Sequence, residues 1–363
     1  MEKIGNLVKT ANGSAKVALE MDLLKALPEL MPSLKVIKTK VEPKLGTVRA
    51  DLALEVVTPP GRKRWLWFEV KPTPVPALIR ESLRQFKFGL RKEPQSYPML
   101  ASYFVTSRVR EICREEGAGY LDLAGNCYLQ MDDLYVEKVV EKNPFQRPGR
   151  PTSLFTPVSS RVFRAMLGEP NRTWALSELS GIAQVTLSQT SKVCGRLVDE
   201  DYAKRTKKQI QLTQPGKLLD AWREQYTLDK STRVAYYSFD RVPEQFMARV
   251  AAVGKERGWR YAVTSFAAAS LIAPFVRGVG ITTWYINDAM AVDSWAKALD
   301  LRPVESGPNV LLLIPYDPGV FYGTQVINDI TLVGNIQLYL DLYANPERGK
   351  EQAEFLRQEK LGF

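Results

Sequence analysis

Apolar and polar positions along the chain change rhythm twice, and each block predicts its own set of elements. From Ala15 to Ala26, Leu, Met and Val recur on one helical face, and the run from Leu34 to Val41 alternates in the manner of a half-buried strand. Arg49–Val57 and Arg64–Lys71 are rich in β-branched or aromatic residues and are separated by Pro59-Pro60-Gly61, which predicts two strands joined by a turn. A helix over 76–90, a buried-type strand from Met99 to Val105, a helix over 107–116 ending at Gly117, and a strand pair within Tyr120–Gln130 turned at Gly125-Asn126 follow. The predicted order is α-β-β-β-α-β-α-β.

The rhythm then shortens. Ser159–Leu167, Ala175–Ile182 and Thr186–Glu200 read as helices, Lys204–Leu212 as a short polar ribbon, and Gly216–Gln225 as a closing helix. The last block mixes strands at Tyr261–Thr264, Ile281–Ile286 and Val310–Tyr316 with helices near 265–276 and 347–360. Two stretches read as linkers: the Pro- and Gly-rich run from Asn143 to Ser153, and the polar run from Leu228 to Arg233. They divide the chain into three α/β or helical domains, 1–143, 151–228 and 232–363, and no internal repeat at solenoid or propeller periods is seen.

Composition narrows the chemistry. With 363 residues and 45% apolar content, each domain has enough material for a core. Histidine is absent, which excludes Ser-His-Asp and Cys-His catalysis, His-ligated zinc and an imidazole pH switch. The three cysteines, Cys113, Cys127 and Cys194, have no CxxC spacing, so neither a disulfide framework nor a zinc knuckle is indicated. The opening MEKIGNLVKT lacks a long apolar stretch, and no run of about 20 apolar residues occurs, so a cytoplasmic protein with no membrane partner is expected. The formal charge of +10 is uneven: +7 over residues 1–150, +4 over 151–230 and −1 over 231–363. Excess positive charge draws polyanions through counterion release, so double-stranded DNA is the leading partner expected of the first two segments.

Asp51, Glu69 and Lys71 form the first candidate site. Alternation along a strand turns Glu69 and Lys71 to one side while Leu66, Phe68 and Val70 face the core, and the hairpin brings Asp51 to the same end of the sheet. Two carboxylates can hold Mg²⁺, and a neighbouring ammonium can orient water or stabilise phosphate charge. The plainer alternative is a cross-face ion pair. In this element order, over roughly residues 14–140, Asp51 with Glu69-Val70-Lys71 resembles the PD-(D/E)xK restriction-endonuclease-like fold. The resemblance implies Asp51 and Glu69 as metal ligands and Lys71 as a catalytic residue only if the domain cleaves DNA; otherwise no cofactor is expected. Gln85, on the following helix, falls where some members carry a site residue. In a chain that only binds DNA, Lys71 with Arg62, Lys63 and Arg64 would offset the two acids and touch the backbone.

The second candidate lies in the middle block. Trp174–Ala183 and Val185–Leu197 read as a helix, a tight turn and a second helix, with Leu187, Val193, Leu197 and Val198 as the buried stripe of the second. Thr186, Ser188, Gln189, Ser191 and Lys192 then remain on its outer side, and Arg196 follows. Such hydroxyl, amide and ammonium groups suit base edges and phosphates, and Lys204, Arg205, Lys207 and Lys208 on the ribbon suit flanking phosphates. Together they resemble the winged helix-turn-helix of bacterial transcription regulators. A winged helix used only for protein contacts is the alternative.

Three further stretches, Glu115–Leu129, Asn309–Gly323 and Asn335–Glu354, resemble the AbiEi-type transcription-regulator antitoxins of type IV toxin–antitoxin systems. That resemblance implies repression of the protein's own operon and a functional link to a nucleotidyltransferase-like toxin without a stable complex; a homodimer is one assembly open to such a regulator. Short members place the winged helix first, whereas here a nuclease-like domain precedes it. Asp288, Asp293 and Asp317 have no G-S…D-x-D context, Asp317-Pro318-Gly319 and Asn345-Pro346 read as turns, Gly117-Ala118-Gly119 is too short for a phosphate loop, and the last domain is given no active site. The function expected is therefore a DNA-binding regulator of antitoxin type. The alternatives are a Mg²⁺-dependent endonuclease targeted by the winged helix and a scaffold for protein partners.

Overall fold

The computed structural model describes residues 14–363 apart from 46–47, 60, 92, 132–133, 146–152, 241 and 277–279. Most of the linker expected at 143–153, Pro60 of the expected turn and the opening thirteen residues thus lie outside the described residues. The chain forms two compact units, one running to residue 151 and including Asp199–Asp201, the other comprising residues 152–198 and 202–363.

In the first unit, α1 (Ser14–Leu30) carries Leu19, Leu23 and Leu27 one helical turn apart, and all three are buried. After it come β1 (Lys35–Val41), a short pair β2 (Lys44–Leu45) and β3 (Val48–Arg49), then β4 (Leu52–Val57) and β5 (Lys63–Val70). The helix α2 (Pro76–Leu90), β6 (Ser96–Ser102), α3 (Ser107–Glu115), β7 (Gly119–Asp122), β8 (Cys127–Met131) and β9 (Leu134–Lys138) complete it. The sheet order is β1-β4-β5-β6-β7-β8-β9, parallel only where α2 and α3 return the chain between β5, β6 and β7. Alternation along β5 sends Leu66, Phe68 and Val70 into a core shared with α1, and Trp67 into one with Phe86 and Leu90 of α2. The strand expected over Met99–Val105 is β6, set back toward Ser96. The chain leaves the sheet at Ser102, whose hydroxyl receives the Phe104 N–H, and Thr106 then caps α3. The edge strand β9 was not expected.

Two parts of the Glu115–Leu129 stretch have structural work. Gly119 enters β7 where a Cβ would lie 2.4 Å from Met99 Sδ and 2.7 Å from the Tyr128 carbonyl, so only glycine fits between the neighbouring strands. The fully buried Asp122 accepts the Asn126 N–H at 2.8 Å, and the Val105 N–H and the Asn126 side-chain amide each at 2.7 Å. Burial nevertheless raises its carboxyl above the ordinary aspartate value.

The second unit begins with α4 (Pro157–Gly168), the two-residue β10 (Trp174–Ala175), α5 (Leu176–Ala183), α6 (Leu187–Asp199), β11 (Ala203–Thr206), β12 (Gln209–Leu212) and α7 (Pro215–Arg223). The three strands make a small sheet in the order β10-β12-β11. Then follow β13 (Thr232–Tyr237), α8 (Pro243–Arg257), β14 (Tyr261–Thr264), α9 (Ser265–Ile272), β15 (Thr282–Ile286), α10 (Val292–Ala298), β16 (Arg302–Pro303), β17 (Val310–Ile314), β18 (Gln325–Ile327), β19 (Ile330–Leu332), α11 (Asn335–Tyr343) and α12 (Gly349–Leu356). Their mixed sheet runs β16-β13-β17-β15-β14-β19-β18.

The boundary expected at 228–232 does not separate two cores. One apolar cluster runs from Leu154 through Trp222 and Trp284 to Leu356. Its polar centre is Arg164 on α4, 2% exposed, whose guanidinium donates to Gln337 Oε1 from Nε at 3.1 Å and to Ser160 Oγ at 2.8 Å, and lies over the Trp222 ring at 4.9 Å. Gln337 passes the contact on by donating to Tyr226 at 2.8 Å and to Asp341 at 2.7 Å. Asp341, wholly buried, also accepts from Tyr226, Tyr285 and Thr264, and burial raises its carboxyl above the ordinary value. Removing the guanidinium strands Gln337 and leaves a void, so Arg164→Ala is expected to cost about 3 kcal/mol in urea unfolding of the full chain. A loss below about 1 kcal/mol would show that this residue does not hold the second unit together.

Candidate functional site

On the first unit, the sheet delivers the three residues expected together. Asp51 precedes β4, and the β4–β5 ladder, with Leu52 opposite Phe68, sets it beside Glu69 near the end of β5. The Asp51 N–H donates to the Phe68 carbonyl at 3.0 Å, and Asp51 Oδ2 accepts the Val70 N–H at 2.7 Å, so backbone bonds fix this carboxylate. Glu69 Oε1 accepts Lys71 Nζ at 2.7 Å and Ser82 Oγ at 3.2 Å. Burial opposes the charge on Lys71, but the hydrogen bond and charge of Glu69, with the charge of Asp51, outweigh it and raise the ammonium's pKa. Gln85 lines the same open cleft of about 640 Å³ as Glu69, together with Arg49, Ser82 and Arg84, and its amide donates to Glu81 at 2.7 Å. Arg62, Lys63 and Arg64 are a correction. They sit at the other end of β5, where Lys63 faces Val57, about 20 Å of strand away from Glu69, and do not offset the acids.

Two residues that sequence reasoning missed complete this site. Lys16 and Glu20 lie four apart on α1 and so share a face. Lys16 Nζ is 2.5 Å from Asp51 Oδ1. Glu20 is buried, and its carboxyl is raised to about 7 by burial and by the charges of Asp51 and Glu42, against the pull of Lys16. The only signal in the sequence was a pair of charged residues on the apolar side of a helix.

On the second unit, α5 ends at Gln184 with a left-handed backbone, φ 52°, and the chain turns directly into α6. Thr186 caps α6: its hydroxyl accepts the Gln189 N–H at 3.3 Å and donates to Gln189 Oε1 at 3.0 Å. Thr186, Ser188, Gln189 and Lys192 are exposed, and so are Lys204, Arg205, Lys207 and Lys208 on the β11–β12 ribbon. Ser191 is half-buried and accepts a hydrogen bond from Arg205 at 3.4 Å, tying helix to ribbon. Arg196 is half-buried as well and donates to the Ser153 carbonyl at 3.0 Å, which turns it toward the start of the unit. Leu187 is a further correction. It is 53% exposed, and the buried stripe of α6 is Thr190, Val193, Cys194 and Leu197, with Val198 only partly covered. Two small polar residues, Thr190 and Cys194, shift the face away from the phase that the leucines and valines alone suggest.

Residues 211–362 match the family described as transcriptional regulator, AbiEi antitoxin, type IV TA system. The match contains the Asn309 and Asn335 stretches; the Glu115 stretch and the α5–α6 helix pair lie outside it. No curated protein matches the chain. Among solved structures, a complex of EndoMS with double-stranded DNA is 19% identical and covers 31% of this chain and 46% of that one, with a TM-score of 0.25. A repair endonuclease from Pyrococcus abyssi is 15% identical over 31% and 49%, with a TM-score of 0.25. EndoMS without DNA is 17% identical over 31% and 48%, with a TM-score of 0.22. The chain spans about half the length of these solved structures, and the reading of the first unit rests on its own residues. No described helix is long and apolar enough to cross a membrane.

Within the matched region, the polar residues of the resembling stretches hold the scaffold. Asn309 bridges to Ser238 in both directions, accepting its N–H at 2.7 Å and donating to its carbonyl at 2.8 Å. Asp317 accepts the Gly319 N–H at 2.8 Å in a tight turn and pairs with Arg161 of α4 at 2.8 Å. Asp288 likewise accepts the Met290 N–H at 2.9 Å.

The raised carboxyl of Glu20 makes stability depend on pH. The folded state takes the proton at about 7 and the unfolded chain at the ordinary glutamate value of 4.5. Its contribution to stability is therefore fully present below the unfolded value and is lost as pH rises through about 7. Glu20→Gln is expected to remove that loss, so denaturant midpoints of variant and parent should diverge between acid and mildly alkaline buffer. Parallel midpoints across the range would show that Glu20 does not titrate in the folded protein.

Proposed function

We propose that the chain is a DNA-binding transcription regulator of AbiEi antitoxin type, in which residues 157–212 act as a winged helix and the protein represses its own operon. The observation that carries the reading is the grouping of exposed hydroxyl, amide and ammonium groups at the start of α6 beside four exposed cations on the ribbon. A helix start offers unsatisfied N–H groups and a positive dipole end, and side chains there reach base edges, while ribbon cations meet the flanking phosphates. The family match of the residues that follow supports the same reading. Double-stranded DNA is the partner. A nucleotidyltransferase-like toxin is the functional counterpart, antagonised without a stable complex.

A second reading, a metal-dependent DNA endonuclease, is favoured by the meeting of Asp51, Glu69 and Lys71 at one strand end. Incubating plasmid with the protein and Mg²⁺ or Mn²⁺ separates the two: the regulator leaves the plasmid intact, and scission abolished by Asp51→Ala establishes the endonuclease.

Two measurements test the interface. Replacing Lys204, Arg205, Lys207 and Lys208 together with Ala should lower the log–log salt slope of DNA binding by up to about 3.6, and an unchanged slope removes the ribbon from the contact. For base reading, Gln189→Ala should cost roughly 1–3 kcal/mol on duplexes selected from a randomised pool and far less on random DNA. Equal losses on both would make Gln189 a backbone contact.

A further inference from the structure

The acid pair of the first unit already has its cations. Asp51 Oδ1 is held by Lys16 Nζ at 2.5 Å and Oδ2 by the Val70 N–H at 2.7 Å. Glu69 Oε1 is held by Lys71 Nζ at 2.7 Å and by Ser82 at 3.2 Å. A divalent ion between Asp51 and Glu69 would compete with these bonds for the carboxylate oxygens, and would bring a double charge next to two ammonium groups. Among the described residues, no three Asp, Glu, Cys or His side chains are grouped to hold a metal ion. The residues present therefore do not fit the Mg²⁺ that a PD-(D/E)xK resemblance implies.

We infer that Lys16 is the resident counter-ion of Asp51 and keeps divalent metal out of the Asp51–Glu69 pair. The geometry explains why this falls to Lys16. Lys71 is anchored by its own backbone, whose N–H donates to the Ala101 carbonyl at 2.9 Å, and its ammonium is committed to Glu69. Lys16 comes from α1, a separate element, and its long stem places one positive charge on Asp51 without adding an oxygen ligand. With Lys16 gone, Asp51 Oδ1 is released, and the pair can take Mn²⁺ through two carboxylates and water. The inference concerns the first unit alone and stands whether or not the second reads DNA.

The test is Mn²⁺ titration of the full chain by calorimetry, with Mn²⁺ relaxation of solvent water as the second readout. Lys16→Met keeps the stem and removes the charge, and it should bind Mn²⁺ at least tenfold more tightly than the parent. The gain should vanish in Lys16→Met combined with Asp51→Asn, while Lys16→Arg, which restores a cation, should behave as the parent. Equal affinity in the parent and Lys16→Met overturns the inference, as does a gain that survives Asp51→Asn. Should Lys16→Met fail to fold, Asp51→Asn alone decides: parent and variant binding Mn²⁺ equally weakly support a blocked pair, whereas tight uptake by the parent that Asp51→Asn removes overturns it.

Discussion

A guanidinium buried without a carboxylate partner is the constraint around which the second unit is built. Arg164 spreads its charge over Gln337, Ser160 and the face of Trp222, and Asp341, one turn beyond Gln337 on α11, answers with a carboxylate among hydroxyl and amide donors. Leaving such groups unpaired in an apolar core is costly, so each is satisfied by a neighbour from a different element. The network cannot form unless α4 lies on α11 with α7 against both. Arg161, one residue short of a turn before Arg164, repeats the link at the edge through Asp317. The helix that opens the proposed DNA-binding segment is therefore also a core helix of the last segment. Most of α6 thus stands on the one core of the second unit.

This arrangement explains where the family match falls. The stretch 211–362 begins on β12 and contains the acceptor half of the network, Gln337 and Asp341, and the bridging Asn309. Those are scaffold residues. The exposed groups that would meet DNA lie on α6 and on β11, ahead of the matched stretch, on a surface where packing places few demands on side-chain identity. The match thus covers the body that carries α6 and the ribbon, and leaves their exposed groups outside it.

How much of this was legible follows the range of the contacts involved. Glu69 and Lys71 share one strand face, and Asp51 reaches them across one hairpin, so alternation and a turn signal were enough to group them. Lys16 reaches the same carboxylate from a helix more than thirty residues earlier, and nothing local in the sequence marks that contact. The phase of α6 misled because Thr190 and Cys194, which a polarity pattern counts as neutral, carry the buried face while Leu187 does not. Arg164 was illegible for a stronger reason. Arginine is read as a surface residue, and its burial depends on an acceptor that lies 173 residues away.

Charge gives the last step. At the strand end of the first unit Asp51 and Glu69 each have a cation, Lys16 on Asp51 and Lys71 on Glu69, so that pair is close to neutral. The ribbon of the second unit is the opposite case: Lys204, Arg205, Lys207 and Lys208 stand exposed, and Arg205 donates to the Ser191 hydroxyl, which leaves its charge in place. Counterion release rewards uncompensated charge, not charge already paired within the protein. Among the described residues the four ribbon cations have no carboxylate partner, which leaves their charge available, whereas Lys16 and Lys71 at the strand end of the first unit each hold a carboxylate.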